Sequence, residues 1–313
     1  MRAIPDVVPA RVRYKSMIHD SARWEGFAFR PDDIIISTPA KCGTTWTQMI
    51  CAMLVLQTPV LAQPLDSYSP WLDMLTRSND DVFAQLEALT NRRFIKTHTP
   101  FDGLPKAEGV TYICVGRDPR DVALSMLSHR ENFNFMALLS ARQEAVGLDD
   151  VAELLAAGPP SQPDTVGGKF WEWVDNATPV LESGSSLKLL THHVSTYWDH
   201  RDDPNVVLIH YDDLQRDLEG SMRGLAQRLA IDVAESDWPA LVKAATFDEM
   251  KAQSANLVPD SSHGLWIETT QFFNMGTSGQ WKTLLDGDDR RRYDATIAEL
   301  ASADMIAWLQ PAA

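Results

Sequence analysis

Four short runs of buried-type residues punctuate the chain, each closed by turn residues and most followed by a stretch with helical spacing. DDIIIS at 32–37 is apolar without alternation and predicts a buried strand. TPAKCG supplies turn chemistry, and TTWTQMICAMLVLQ at 44–57 then reads as a helix ended by Pro59. RFIKTH at 93–98 is a second strand, ending before Pro100, and VTYICVG at 110–116 a third. The third leads into DPRDVALSMLSHR, where Pro119 suits the first helical turn after Asp118 and Val122, Leu124, Met126 and Leu127 supply apolar side chains. NVVLIHY at 205–211 is the fourth strand, and further helices are predicted around 167–181, 186–200, 218–230, 237–245 and 288–301. Strands alternating with helices predict an α/β fold: a mostly parallel central sheet flanked by helices on both faces. No linker divides the chain, so one domain is expected over 1–313 with its core at about 32–300. The segment 144–167, with the GPPSQP run from Gly158, reads as a mobile insertion or lid.

Composition narrows the classes. With 313 residues, 44% hydrophobic and 23% charged, the chain is an ordinary globular protein rather than a disordered, collagen-like or coiled-coil one. Lys and Arg total 28 against 43 Asp and Glu, a formal charge of −15. That acidity argues against nucleic acid and anionic membranes as partners, but not against a small anion in a locally positive pocket. Three cysteines, Cys42, Cys51 and Cys114, lack metal-ligand spacing and suggest a reducing compartment. The first 30 residues hold no apolar h-region, and the longest apolar stretch, Met49 to Leu56, is short of the roughly 20 residues a membrane span needs. A cytoplasmic protein without a membrane span is expected; oligomeric state is not readable.

The candidate chemistry sits at strand ends. In TPAKCGTTW a strand, a tight turn and a helix start follow one another, an arrangement that suits phosphate or sulfate. Gly43 admits close backbone approach, Thr44 and Thr45 add hydroxyls, and Lys41 adds a charge. The alternative is a capped helix with a solvated Lys41. The loop is not a Walker A loop, because Lys41 precedes Gly43 and Trp46 follows the threonines. Trp46 offers a flat face to a base, or is simply core. Lys96 and His98 lie two apart at the end of the second strand, on one face; a structural histidine is the alternative. Arg117 ends the third strand and Ser125 lies eight residues on, two helical turns along, able to grip one phosphate together. The alternatives are Arg117–Asp121 or Asp118–Arg120 ion pairs.

In this order, from about Asp32 to Lys282, the segments resemble the cytosolic sulfotransferases that use 3′-phosphoadenosine-5′-phosphosulfate (PAPS). TPAKCGTTW resembles the family's YPKSGTTW loop, IKTHTPFDGLP its KTHLP segment, and ICVGRDPRDVALS its RN-x-x-D-x-x-V-S element. ATFDEMK is similar to TSFxxMK, and GTSGQWK to the tail of RKGxxGDWK. The resemblance implies that the loop Lys41, Cys42, Gly43, Thr44 and Thr45 holds the 5′-phosphosulfate, and that Arg117 and Ser125 hold the 3′-phosphate. Trp46 and Phe247 sandwich the adenine, with Thr246 nearby. His98 is the implied base and Lys96 a transition-state partner, while Lys41 also serves the leaving oxygen. Asn274-Met275 stands where the family has Arg-Lys, Gln280 where it has aspartate, and Leu187 where a tyrosine is expected. Asn274, Met275 and Gly276 remain implied donor contacts, with Asn274 and amides near Gly276 as partial substitutes for the lost charges.

The expected activity is sulfuryl transfer from PAPS to a hydroxyl of a small apolar acceptor, giving PAP and a sulfate ester, without a metal. A phenol, alcohol, sterol, lipid or glycolipid fits, and Trp71, Phe101, Phe133, Phe135 and Trp171 are candidates either for an acceptor pocket or for core. Two rivals are a catalytically degenerate PAP-binding protein, motivated by Asn274-Met275, and a P-loop-type nucleotide kinase.

Overall fold

The computed structural model describes residues 6–158, 163–259, 263–273 and 276–311. All four expected strands form: β1 (Ile34–Ser37), β2 (Phe94–Thr97), β3 (Thr111–Gly116) and β4 (Val206–His210). They make one parallel sheet in the order β2-β1-β3-β4, with Ile36 level with Lys96 on one side and Ile113 on the other. The unbroken apolar run of β1 has a direct cause. Ile34 and Ile36 point into a layer built on Met49, Ile50, Leu225 and Leu241, while Ile35 points into the opposite layer with Trp24, Leu86 and Tyr112. Successive side chains face opposite ways, so a strand covered on both faces has no polar position to offer.

The helices that bear on the site are α1 (Thr44–Leu56), α2 (Pro119–Glu131), α3 (Phe135–Ala145), α4 (Leu187–Trp198) and α5 (Phe247–Ala252). α1 ends at Gln57, left-handed at φ 49°, whose N–H closes on the Met53 carbonyl, with Pro59 following. Asp118 caps α2 through the Arg120 N–H and Pro119 opens it, as the sequence predicts. The helix expected over 167–181 is shorter, Val166–Val174, because Pro179 cannot continue it and biases Thr178 away from helical angles. α3, α5 and the helices Asn79–Ala88, Ala152–Ala157 and Ala303–Leu309 went unpredicted. A two-stranded antiparallel pair, Val7–Val8 with Lys106–Ala107, is also additional. Within 144–167 the described residues include the helix Ala152–Ala157, and residues 159–162 lie outside the description. Among the described residues no helix is long and apolar enough to cross a membrane.

Two close approaches tie the sheet together. Gly116, the last residue of β3, packs so tightly on the C-terminal helix that a Cβ there would lie 2.2 Å from Trp308 Cζ3. At the opposite end of the strands, fully buried Asp33 accepts from Arg93 Nε at 2.7 Å and Nη2 at 2.5 Å, and Arg93 also donates to the Ala28 carbonyl at 2.8 Å. This bidentate pair joins the starts of β1 and β2. Removing Asp33 leaves the buried Arg93 charge, among the described residues, with only the exposed Glu87 carboxylate, 3.7 Å away. Asp33→Ala is therefore expected to cost about 3–5 kcal/mol in urea unfolding; a loss below about 1 kcal/mol, the scale of a surface pair, contradicts the assignment.

Candidate active site

The sheet order reverses between β1 and β3, and open parallel sheets bind ligands in the crevice beyond the strand C-termini at such a point. The turn from β1 into α1 occupies it. Lys41 (φ 65°) and Gly43 (φ 97°) are both left-handed, and no side chain caps the helix at Gly43. A Cβ at Gly43 would sit 3.0 Å from Tyr211 Cδ2, so glycine answers both the backbone angle and the packing. The first intrahelical bond runs from Thr47 N–H to the Gly43 carbonyl, leaving the preceding N–H groups at the positive end of the helix dipole. Thr38 and Thr44 hydroxyls meet at 2.5 Å and brace the turn.

Arg117 faces this turn from the end of β3. Its Nη1 donates to the Lys41 carbonyl at 3.0 Å and its Nη2 to the Thr277 carbonyl at 3.2 Å, while its guanidinium lies 4.2 Å over the Tyr211 ring. Its Nε is buried and has no hydrogen-bond partner among the described residues. Of the two ion pairs weighed from sequence, Asp118–Arg120 forms, at 2.7 Å. Asp121 instead accepts the N–H groups of Gly279 and Gln280 at 2.7 and 3.0 Å, fixing the loop before Trp281. A buried donor left unmade is costly, so the geometry suits an incoming anion.

Beyond the turn stand the two residues at the end of β2. His98 is half-buried, its Nδ1–H donated to the Thr38 carbonyl at 2.7 Å, which leaves Nε2 with the free lone pair. Burial first, then the charge of Lys96, holds its pKa well below the usual histidine value, so the ring is neutral near pH 7. Lys96 Nζ lies 4.4 Å over the Trp71 ring, and Trp71 meets His98 edge-on, with centroids 4.6 Å apart at 87°. Lys41 Nζ lies 3.4 Å from His129 Nδ1 and 4.8 Å over the Phe272 ring. Burial, then the charges of Arg117 and Lys96, bring the Lys41 pKa down to about 7.

One cavity of about 1040 Å³ joins these groups. Lys41, Gly43, Thr44, Thr45, Trp46, Lys96, His98, Arg117, Ser125, Phe247 and Gly276 all line it. Among the described residues its charged lining is mainly cationic, Lys41, Lys96, Arg117 and Arg130 against Glu182, although the chain carries −15. Trp46, fixed by its indole N–H on the Ala245 carbonyl at 2.8 Å, and Phe247 both face it. Gly276 lies against Phe247, where a Cβ would approach the ring to 2.6 Å.

Two of the expected residues turn their side chains away from the lining. Thr246 caps α5 and donates to the Lys243 carbonyl at 2.8 Å, outside the lining. The Cys42 side chain is fully buried against α2 and α4, where burial pushes its thiol up to about 12. Asn274 and Met275 lie outside the described residues. Among the aromatic candidates Trp71, Phe133 and Phe135 line the cavity, whereas Phe101 is core and Trp171 stands outside the lining with its N–H on Asp289. Sequence reading missed His129 and Tyr211. His129 is four residues after Ser125, on the same face of α2, and Tyr211 directly follows the C-terminal end of β4; those placements were the available signals.

Comparison with known proteins places the chain in a family. A family model described as "Sulfotransferase domain" matches residues 31–304. The chain is 38% identical over 312 residues to a glycolipid sulfotransferase of Mycobacterium bovis (strain BCG / Pasteur 1173P2), covering 95% of this chain and 94% of the relative. It is 26% identical over 284 residues to the luciferin sulfotransferase of Photinus pyralis, covering 82% and 68%. The fold is similar to that of mouse sulfotransferase SULT7A1 complexed with PAP, with a TM-score of 0.65, 21% identity and 92% coverage of each chain. It is also similar to retinol dehydratase in complex with retinol and PAP, with a TM-score of 0.66, 20% identity and coverage of 89% and 84%.

Proposed function

This chain belongs to the sulfotransferase family, and from that premise we propose that the cavity binds PAPS at the α1 turn and transfers its sulfuryl group to the hydroxyl of an apolar or amphiphilic acceptor. The observation that carries the reading is a cationic crevice in an acidic chain, holding an Arg117 Nε with no partner among the described residues and opening onto a neutral imidazole whose Nε2 has none among them either. The residues present fit the donor. The uncapped α1 N-terminus, Thr44, Thr45 and Lys41 suit the phosphosulfate, Arg117 and Ser125 the 3′-phosphate, and Trp46 and Phe247 the base. A volume at the top of the usual range for ligand pockets leaves room for a second substrate.

In this reading His98 Nε2 takes the acceptor proton as the acceptor oxygen bonds to sulfur. The bond from sulfur to the 5′-phosphate oxygen breaks, and its electron pair stays on that oxygen. Lys41, once protonated, stabilises the charge growing there, and the helix N–H groups with Lys96 meet the charge on the sulfuryl oxygens. Thr38 keeps His98 in the tautomer that makes Nε2 the base. On the acceptor side Met17, Ile18, Met74, Phe133 and Trp266 form an apolar wall, while Asn176, Thr178, Glu182 and Ser183 form a polar one. An amphiphile with hydroxyls on its head matches both walls, in keeping with the glycolipid relative.

Two outcomes test the reading. His98→Ala is expected to lower turnover by about 10²–10⁴-fold while PAP affinity survives; turnover at the wild-type rate removes His98 as base. A dianion beside Lys41 raises its pKa above the free value of about 7. The affinity it contributes is therefore complete below pH 7 and is lost as pH rises through the bound-state pKa. Calorimetry at pH 8 in buffers of different ionisation heat should show proton uptake on PAP binding, absent in Lys41→Ala. Binding without proton uptake in the wild type contradicts the placement of Lys41.

A further inference from the structure

Asp73 lies outside the cavity lining, fully buried, and its four side-chain hydrogen bonds among the described residues come from neutral donors. Oδ1 accepts the Trp71 indole N–H at 2.6 Å. Oδ2 accepts Trp24 Nε1 at 3.1 Å, Thr97 Oγ1 at 2.6 Å and Thr99 Oγ1 at 2.6 Å. Thr97 and Thr99 flank His98, so one oxygen grips the chain on both sides of the imidazole. The other oxygen holds the ring on which His98 and Lys96 both rest, with His98 meeting it edge-on and Lys96 Nζ lying over its face. The backbone repeats the tie: Lys96 N–H donates to the Pro70 carbonyl at 3.1 Å and Leu72 N–H to the Lys96 carbonyl at 3.2 Å. The buried Arg23 guanidinium offsets part of the Asp73 charge without bonding to it, its own bonds going to the Leu72 and Arg77 carbonyls, and bonds to a charged acceptor are short and directional.

We propose that Asp73 is a positioning residue for sulfuryl transfer, clamping Thr97, Thr99 and Trp71 so that His98 and Lys96 are held at one fixed separation and angle. The proposal rests on the reading of His98 and Lys96 as the reacting pair.

Asp73→Asn tests it selectively. The amide oxygen can keep the bonds from Trp24, Thr97 and Thr99, which turns the amide NH₂ toward the Trp71 N–H, donor against donor. With labelled PAPS and the best acceptor from a panel of alkyl glycosides, sterols and phenols, kcat should fall about ten- to hundred-fold while PAP affinity is unchanged. Trp71→Phe, which deletes the same donor, should give a similar loss, and the double variant should cost no more than Trp71→Phe alone. The Trp71 indole N–H resonance, identified by its disappearance in Trp71→Phe, should move in Asp73→Asn. Wild-type kcat in Asp73→Asn, or losses that add in the double variant, would overturn the proposal. If Asp73→Asn does not fold, Trp71→Phe decides: wild-type kcat there overturns it, and the kcat loss with PAP affinity intact supports it. His98→Ala separates the two levels. Turnover persisting in that variant defeats the reaction scheme, whereas an inactive His98→Ala beside fully active Asp73→Asn and Trp71→Phe defeats only the role of Asp73.

Discussion

Positive charge crowded at one end of a parallel sheet is the constraint on which the rest of the site turns. Arg117, Lys41 and Lys96 converge on one crevice, and burial of Lys41 first, then its repulsion by the other two, drives its pKa toward neutrality. Such an arrangement is unfavourable by itself. It is tolerable because carbonyls, aromatic faces and a neutral histidine take up the cations: Arg117 on Lys41 and Thr277, Lys96 over Trp71, Lys41 beside His129 and Phe272. Two nearby carboxylates are committed elsewhere. Asp118 holds Arg120 and the Trp281 indole, and Asp121 holds two backbone N–H groups. The proposed donor would supply the missing negative charge.

The fold makes this possible by sealing both faces of the sheet with apolar residues and leaving the strand ends for chemistry. β1 carries three isoleucines into two different layers, and the loop after it then has to turn sharply; Lys41 and Gly43 accept left-handed angles to do so. At the other end of the sheet, Asp33 and Arg93 fix the strand starts. The polar groups inside are therefore arranged in two tiers, one that holds strands in register and one that aims side chains into the cavity.

Much of this was legible in the sequence because it is local. The strands, α1, α2 and their caps follow from residue order alone, and eleven of the residues named as site candidates line a single cavity. What escaped depends on contacts between distant segments. Nothing adjacent to Asp73 shows that its carboxylate will meet Thr97, Thr99 and Trp24, and nothing adjacent to Tyr211 shows that its ring will lie beneath Arg117. α3 was missed for a related reason: Phe135 and Met136 stay exposed at the cavity rim, so their spacing does not describe a buried stripe. Thr246, expected near the base, serves as a helix cap.

The decisive measurement is a crystal structure with PAP bound. It should show the 5′-phosphate on the N–H groups opening α1 beside Lys41, the 3′-phosphate on Arg117 with its Nε now bonded, and His98 Nε2 facing the side from which the sulfuryl group departs. PAP bound away from this turn, or bound with Arg117 Nε still unpaired and His98 turned out of the cavity, would contradict the account.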